Sequence, residues 1–272
     1  MRFSFFCRCR TLEMASIIAL MTFAPSTLAR AQQPQSAAPA KSSEEQVREP
    51  NAAENKHTFQ DLLHGDPDAV ADEKKFFALA TDTEMKQRVA SILLSLGVRD
   101  KVYRDYLEHA AREALADETP WPARHNAKGE EEDWNPAFLE WCKKRSLEPW
   151  ATLKKVVYEV SNPWYYLAAS GDPAFYDLFI EGLHSHNLMI VGTAAQGLAK
   201  LQDPRAIEPL IEAGRRTPGV GRGGIRKSLL YFSDPRAQAA AEEFYALTNS
   251  KKLMDLHRQE AKEKGAKGLF QW

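Results

Sequence analysis

Apolar residues recur along much of this chain at the three- and four-residue spacing of an amphipathic helix. Ile190, Ala194, Leu198 and Leu201 fall on one face, and Ile225, Leu229 and Phe232 occupy a matching face further on. Punctuation between these stretches is regular. Asp-Pro pairs stand at 172–173, 203–204 and 234–235, a constant step of 31 residues, and a run of the same kind follows each, at 174–180, 205–211 and 236–242. An Asp carboxylate accepts from the free N–H groups of a first helical turn. A proline just after it needs no donor and already has a helical φ. Each pair therefore predicts a helix start, and one unit reads as helix, short turn, helix. Such a hairpin has one apolar face that only a neighbouring hairpin can cover. The fold class predicted is all-α, a stack of helix pairs.

The segment Gln202-Asp203-Pro204-Arg205-Ala206-Ile207-Glu208-Pro209-Leu210-Ile211-Glu212-Ala213 resembles the first helix of the short HEAT repeat, the variety also found in phycobilin lyases. Residues 194–201 resemble its second helix, and the likeness extends over 171–248. It departs where Val191 and Gly192 follow Ile190, a place where the family usually carries a basic residue. The resemblance implies an α-α superhelix, a HEAT-like helical solenoid. It brings no active site with it.

Upstream the pattern is less regular. Gly65-Asp66-Pro67 opens a helix through Phe76, Phe77 and Leu79. A second runs from Asp82 to a C-cap at Gly97, and a third from Asp100 to Ala114, so that 57–116 read as divergent helical repeats. Periodicity stops between Asp117 and Pro136, where an inserted loop is expected. Helices resume at 136–145, 149–160 and 163–169, each opened by a proline. Residues 117–170 are thus an insertion loop with irregular helices, 171–248 the HEAT-like repeats, and 249–272 a charged C-terminal helix and tail.

The first residues differ in kind. Arg2, Arg8 and Arg10 precede an apolar run from Met14 to Ala24, and Leu28-Ala29-Arg30-Ala31 supplies a cleavage signature. The reading is a signal peptide over 1–31, with an uncleaved anchor or a start at Met14 as alternatives that Glu13 keeps open. Residues 32–56, rich in Gln, Pro, Ala, Ser and Glu, form an expected disordered linker. No later stretch approaches the ~20 apolar residues of a spanning helix. The chain is expected to be exported, periplasmic or secreted. Cleavage removes Cys7 and Cys9, leaving Cys142 without an intrachain partner, and takes the formal net charge from −1 to −4. Neither value favours nucleic acid as a partner.

Residues 219–224 match the spacing G-x-G-x-x-G. A dinucleotide site needs a strand ahead of it, and helix is predicted there instead. A P-loop needs Lys where Ile225 stands. What remains is a glycine loop offering N–H groups at a helix start beside Arg222, Arg226 and Lys227, a place able to hold an anion; a plain turn within one repeat competes with it. His184 and His186 stand two apart, a poor chelating geometry on a helix. His257 lacks a second histidine, and Cys142 a readable base. Trp150 and Trp164 sit in apolar helical context and are expected in the core. Trp121 and Trp134, on a polar loop, are candidates for exposed contacts, with a core role as the alternative.

No catalytic, metal-binding or cofactor set emerges. The sequence thus reads as an exported scaffold that binds a protein partner through its helical surface without catalysis. Alternatives are an anion- or small-ligand-binding sensor built on residues 219–228, and a lyase-like enzyme. Oligomeric state is open.

Overall fold

Helices begin where the chain sets an acceptor side chain ahead of a proline. In the computed structural model, which describes residues 59–126 and 129–270, Asp172, Asp203 and Asp234 each accept from the backbone N–H two positions on, at 3.1, 2.9 and 2.8 Å. Asp66 accepts from the N–H groups of Asp68 and Ala69 at 3.0 Å. Asp82 caps through Met85 at 2.7 Å. The leader expected at 1–31 and the linker expected at 32–56 lie outside the described residues.

The chain divides into two compact units, one ending at Ala69 and one beginning at Val70. The first holds α1 (Phe59–Leu63) and the opening of α2 (Pro67–Leu79). In the second, the rest of α2 leads to α3 (Thr83–Ser95) and α4 (Lys101–Leu115). A hairpin follows, β1 (Ala123–His125) with β2 (Glu131–Trp134), then α5 (Pro136–Lys144) and α6 (Pro149–Lys154), which runs into a π-helical turn at Lys155–Glu159. After α7 (Asn162–Ser170) the pairs are regular: α8 (Tyr176–Gly182) with α9 (Leu188–Leu201), then α10 (Ile207–Arg216) with α11 (Gly219–Leu229). The last pair is α12 (Pro235–Ala246) and α13 (Lys251–Lys264).

Second helices stack in succession, α3 on α7, α7 on α9 and α9 on α11. Helix α4 packs on both α3 and α7. It is therefore the first helix of the unit that α7 completes, with 116–161 inserted between them. Trp164 ties the two across that gap. Its ring is fully buried, and its indole N–H donates to the Ala111 carbonyl at 3.0 Å. The sequence reading assigned 163–169 to the insertion, and the structure returns this helix to the stack. Its pattern gave little sign of membership because Pro163, Trp164 and residues 166–170 are all buried. A helix covered nearly all round shows no polar stripe.

The loop expected over 117–136 contains the hairpin, which pairs Ala123 with Trp134 and Arg124 with Asp133. Between 171 and 248 no strand occurs. The insertion lies along the turns of the next two units. His186 Nε2 donates to the Thr119 carbonyl at 3.1 Å, and the Asn187 side-chain amide to that of Val156 at 3.4 Å. The Gly219 N–H donates to the Gly129 carbonyl at 2.9 Å.

Charge reinforces the repeat. Arg205 and Arg236 fork onto their own Asp203 and Asp234. Each also reaches one unit back, Arg205 lying 4.5 Å above the Tyr176 ring and Arg236 pairing with Glu208 at 2.7 Å. Ala174 stands at the equivalent place after Asp172, so Arg99 and Arg104 of the preceding unit supply the charge, at 3.3 and 2.7 Å.

Candidate functional site

Residues 219–224 are not a loop. They form the first turns of α11, and their glycines let two helices meet closely. A Cβ added at Gly224 would lie 2.5 Å from the Gly192 Cα on α9, and one at Gly221 would lie 3.3 Å from the Leu188 carbonyl oxygen. Gly219 takes a left-handed φ of 56° at the turn, beneath the His125 ring. The spacing that resembles a nucleotide motif is thus a packing device.

The three basic residues beside it part company. Arg222 turns back to α10, its Nε donating to the Gly214 and Thr217 carbonyls at 3.1 and 2.8 Å. Those are among the carbonyls a helix end leaves unpaired. Arg226 points the other way, its guanidinium 4.4 Å over the Tyr245 ring and its terminal nitrogen donating to Thr248 Oγ1 at 2.6 Å. Burial holds both arginines below the usual guanidinium range. Lys227 pairs with Glu260 of α13 at 2.9 Å. The structure therefore does not bring the three cations to one point.

Sequence reasoning missed the polar cluster that Arg226 joins. The Tyr245 hydroxyl and His257 Nδ1 share a hydrogen bond of 2.5 Å between α12 and α13. Burial pushes His257 down to about 4, helped by Lys227, while Glu260 opposes and Arg226 assists. The Tyr231 phenol is pushed up to about 12 by burial, with the Glu260 charge adding. Among the described residues its buried hydroxyl and the Arg226 Nε have no hydrogen-bond partner. One signal was available: Leu253, Met254, His257 and Ala261 form a helical stripe on an otherwise charged segment, which marks His257 as inward-facing.

Aromatic residues of the insertion are also placed differently from expectation. Trp121 is buried, not exposed, and its indole nitrogen has no hydrogen-bond partner among the described residues. Trp134 is half-buried, stacked on Phe138 at 5.6 Å and set edge-on to Trp150 at 5.0 Å. Strand β2 is what carries Trp134 back onto α5, and a loop reading could not anticipate that. Trp164 is fully buried, as its context implied, whereas Trp150 is half-buried. Cys142 is buried. His184 Nδ1 lies 3.3 Å from an Arg216 nitrogen. Among the described residues no group of three or more His, Cys, Asp or Glu could hold a metal ion.

Geometry and family likeness meet at α9 and α10. Residues 191–213, from inside α9 through the Asp203-Pro204 cap into α10, match the model of the PBS lyase HEAT-like repeat. This stretch of the chain carries a HEAT-like repeat. Neither curated proteins nor solved structures yielded a match. In HEAT terms α7, α9 and α11 are second helices, and the match begins on one of them and ends on the first helix of the next unit.

Proposed function

We propose that this chain is an exported HEAT-repeat scaffold that grips a protein partner through its helical surface and carries out no catalysis. The observation behind this reading is the unbroken succession of second helices, α3, α7, α9 and α11, in a chain with a HEAT-like repeat. Stacked repeats present extended surfaces, and the link from that architecture to partner binding is one of analogy. Among the described residues no helix is long and apolar enough to cross a membrane. The basic start, short apolar run and Ala29-Arg30-Ala31 favour export to the periplasm or the medium.

Two measurements test this. The mature protein isolated from cells should begin at Gln32; an intact Met1 in the soluble cytoplasmic fraction would remove the export reading. Residues 32–272, used as bait in an envelope extract, should retain a protein in stoichiometric amount. Retention of none, together with turnover of an ester or a bilin that one substitution abolishes, would replace the scaffold with an enzyme. A rise in Tm with phosphate that Arg222→Ala abolishes would favour the anion sensor.

A further inference from the structure

Helix α13 ends at Gly265, whose φ of 58° and ψ of −178° lie in a region essentially reserved for glycine. There the chain turns back. The short 3-10 turn at Ala266–Gly268 packs on α9. Leu269 is 6% exposed. Phe270 meets Tyr165 of α7 edge-on with ring centroids 5.2 Å apart, and the Lys200 ammonium of α9 stands 5.8 Å from the Phe270 ring centre.

Where the tail lies is informative. The segment leaves α13 and rests on α7 and α9, second helices of units further upstream. Its manner of attachment is that of a ligand. The backbone bonds from Gly268 to Gly265 and from Leu269 to Ala266 are internal to it, while the Phe270 ring reaches Tyr165 and Lys200 of the seat and Leu269 is buried in the core. Phe270 holds a φ of 58°, left-handed backbone that a bulky side chain disfavours, so the tail is strained where it grips.

We propose that α7 and α9 form a peptide-docking surface whose resident occupant is the chain's own Leu269 and Phe270. The partner it fits is a protein segment with adjacent aliphatic and aromatic side chains, and that segment binds by displacing the tail. The inference rests on the scaffold reading for its biological use, but the surface can be tested without any partner.

The probe is a labelled peptide of residues 264–272, titrated by fluorescence anisotropy into three proteins: the full mature chain, a chain ending at Lys264, and the full-length double variant Leu269→Ala/Phe270→Ala. Both altered proteins should bind the peptide, and the unaltered chain about tenfold more weakly, since a seat occupied nine-tenths of the time reduces apparent affinity by that factor. The peptide with both residues changed to Ala should not bind. Equal affinity for all three proteins, or no binding to either altered one, overturns the proposal. If the shortened chain loses its helical circular dichroism, the double variant carries the same comparison. Failure to capture a partner from extract would strike the scaffold reading and leave this result standing.

Discussion

The Asp172 carboxylate is wholly buried, caps a helix through the Ala174 N–H, and receives Arg99 and Arg104 from an earlier unit. Removing one member of a buried ion pair strands its partners, here two guanidiniums that are partly exposed and can turn to water. Asp172→Ala should therefore cost about 3 kcal/mol, the low end for such pairs, read as a shift in urea midpoint. Asp203→Ala should cost clearly less, because Arg205 is solvated on the surface and only the cap is lost. Equal losses would show that the buried pair adds nothing to the cap. A second residue-scale expectation concerns acid. His257 titrates near 4 in the fold and near 6.5 when unfolded, so the unfolded chain binds more protons between those values. Its stabilisation is complete above about pH 6.5 and lost as pH falls toward 4. The groups facing it are Tyr245, Arg226, Lys227 and Glu260. His257→Gln keeps an acceptor for Tyr245 without the titration, and its Tm should fall less between pH 7 and pH 5 than that of the unaltered chain. The Asp-Pro caps were legible because they are local chemistry. Arg99 and Arg104 were not, since their partner is set by stacking and stands far along the chain.

At the level of elements, α11 is where local propensity and tertiary packing disagree. Glycine is the poorest helix former after proline, and four glycines in six residues argue for a turn. The helix is accommodated because the backbone of α9 approaches so closely at Gly192 that no side chain fits at Gly224. Two neighbouring substitutions separate these effects. Gly224→Ala drives a methyl to within 2.5 Å of the Gly192 Cα and should destabilise by about 1–3 kcal/mol, the usual cost of overpacking. Gly223→Ala meets nothing within 4 Å, so it should stabilise by about 0.5–1 kcal/mol through reduced backbone freedom in the unfolded chain. Urea unfolding of both variants provides the check; if Gly224→Ala also stabilises, the helices do not cross where described. The same conflict explains what the pattern revealed and concealed elsewhere. Helices α8, α10 and α12 follow an Asp-Pro cap and carry the apolar period, α9 carries the period without an Asp-Pro pair, and each lies where the sequence put it. Helix α7 and the hairpin owe their form to what surrounds them, which periodicity does not record.

For the whole molecule, nearest-neighbour repeats predict fraying from an end, one pair at a time. Burial follows that expectation at the C-terminal side: α13 buries Met254 and His257, while α9 buries most of its length. The insertion alters the outcome in the middle. It belongs to the unit of α4 and α7, yet it holds the next unit through Thr119 and Val156 and the one after through Gly129. Opening either of those two units requires the insertion to release it, which couples neighbours that would otherwise open separately. Hydrogen exchange reads this directly, because amides that open together share one free energy. Amides of α13 should exchange first. Those of α8, α9, α10 and α11 should exchange with those of the hairpin, at a single higher cost. A hairpin that exchanges early while α9 stays protected would mean that these hydrogen bonds hold the insertion in place without holding the stack. Joint exchange would instead make the insertion part of the stack's cooperative core, despite entering it from outside the repeat pattern.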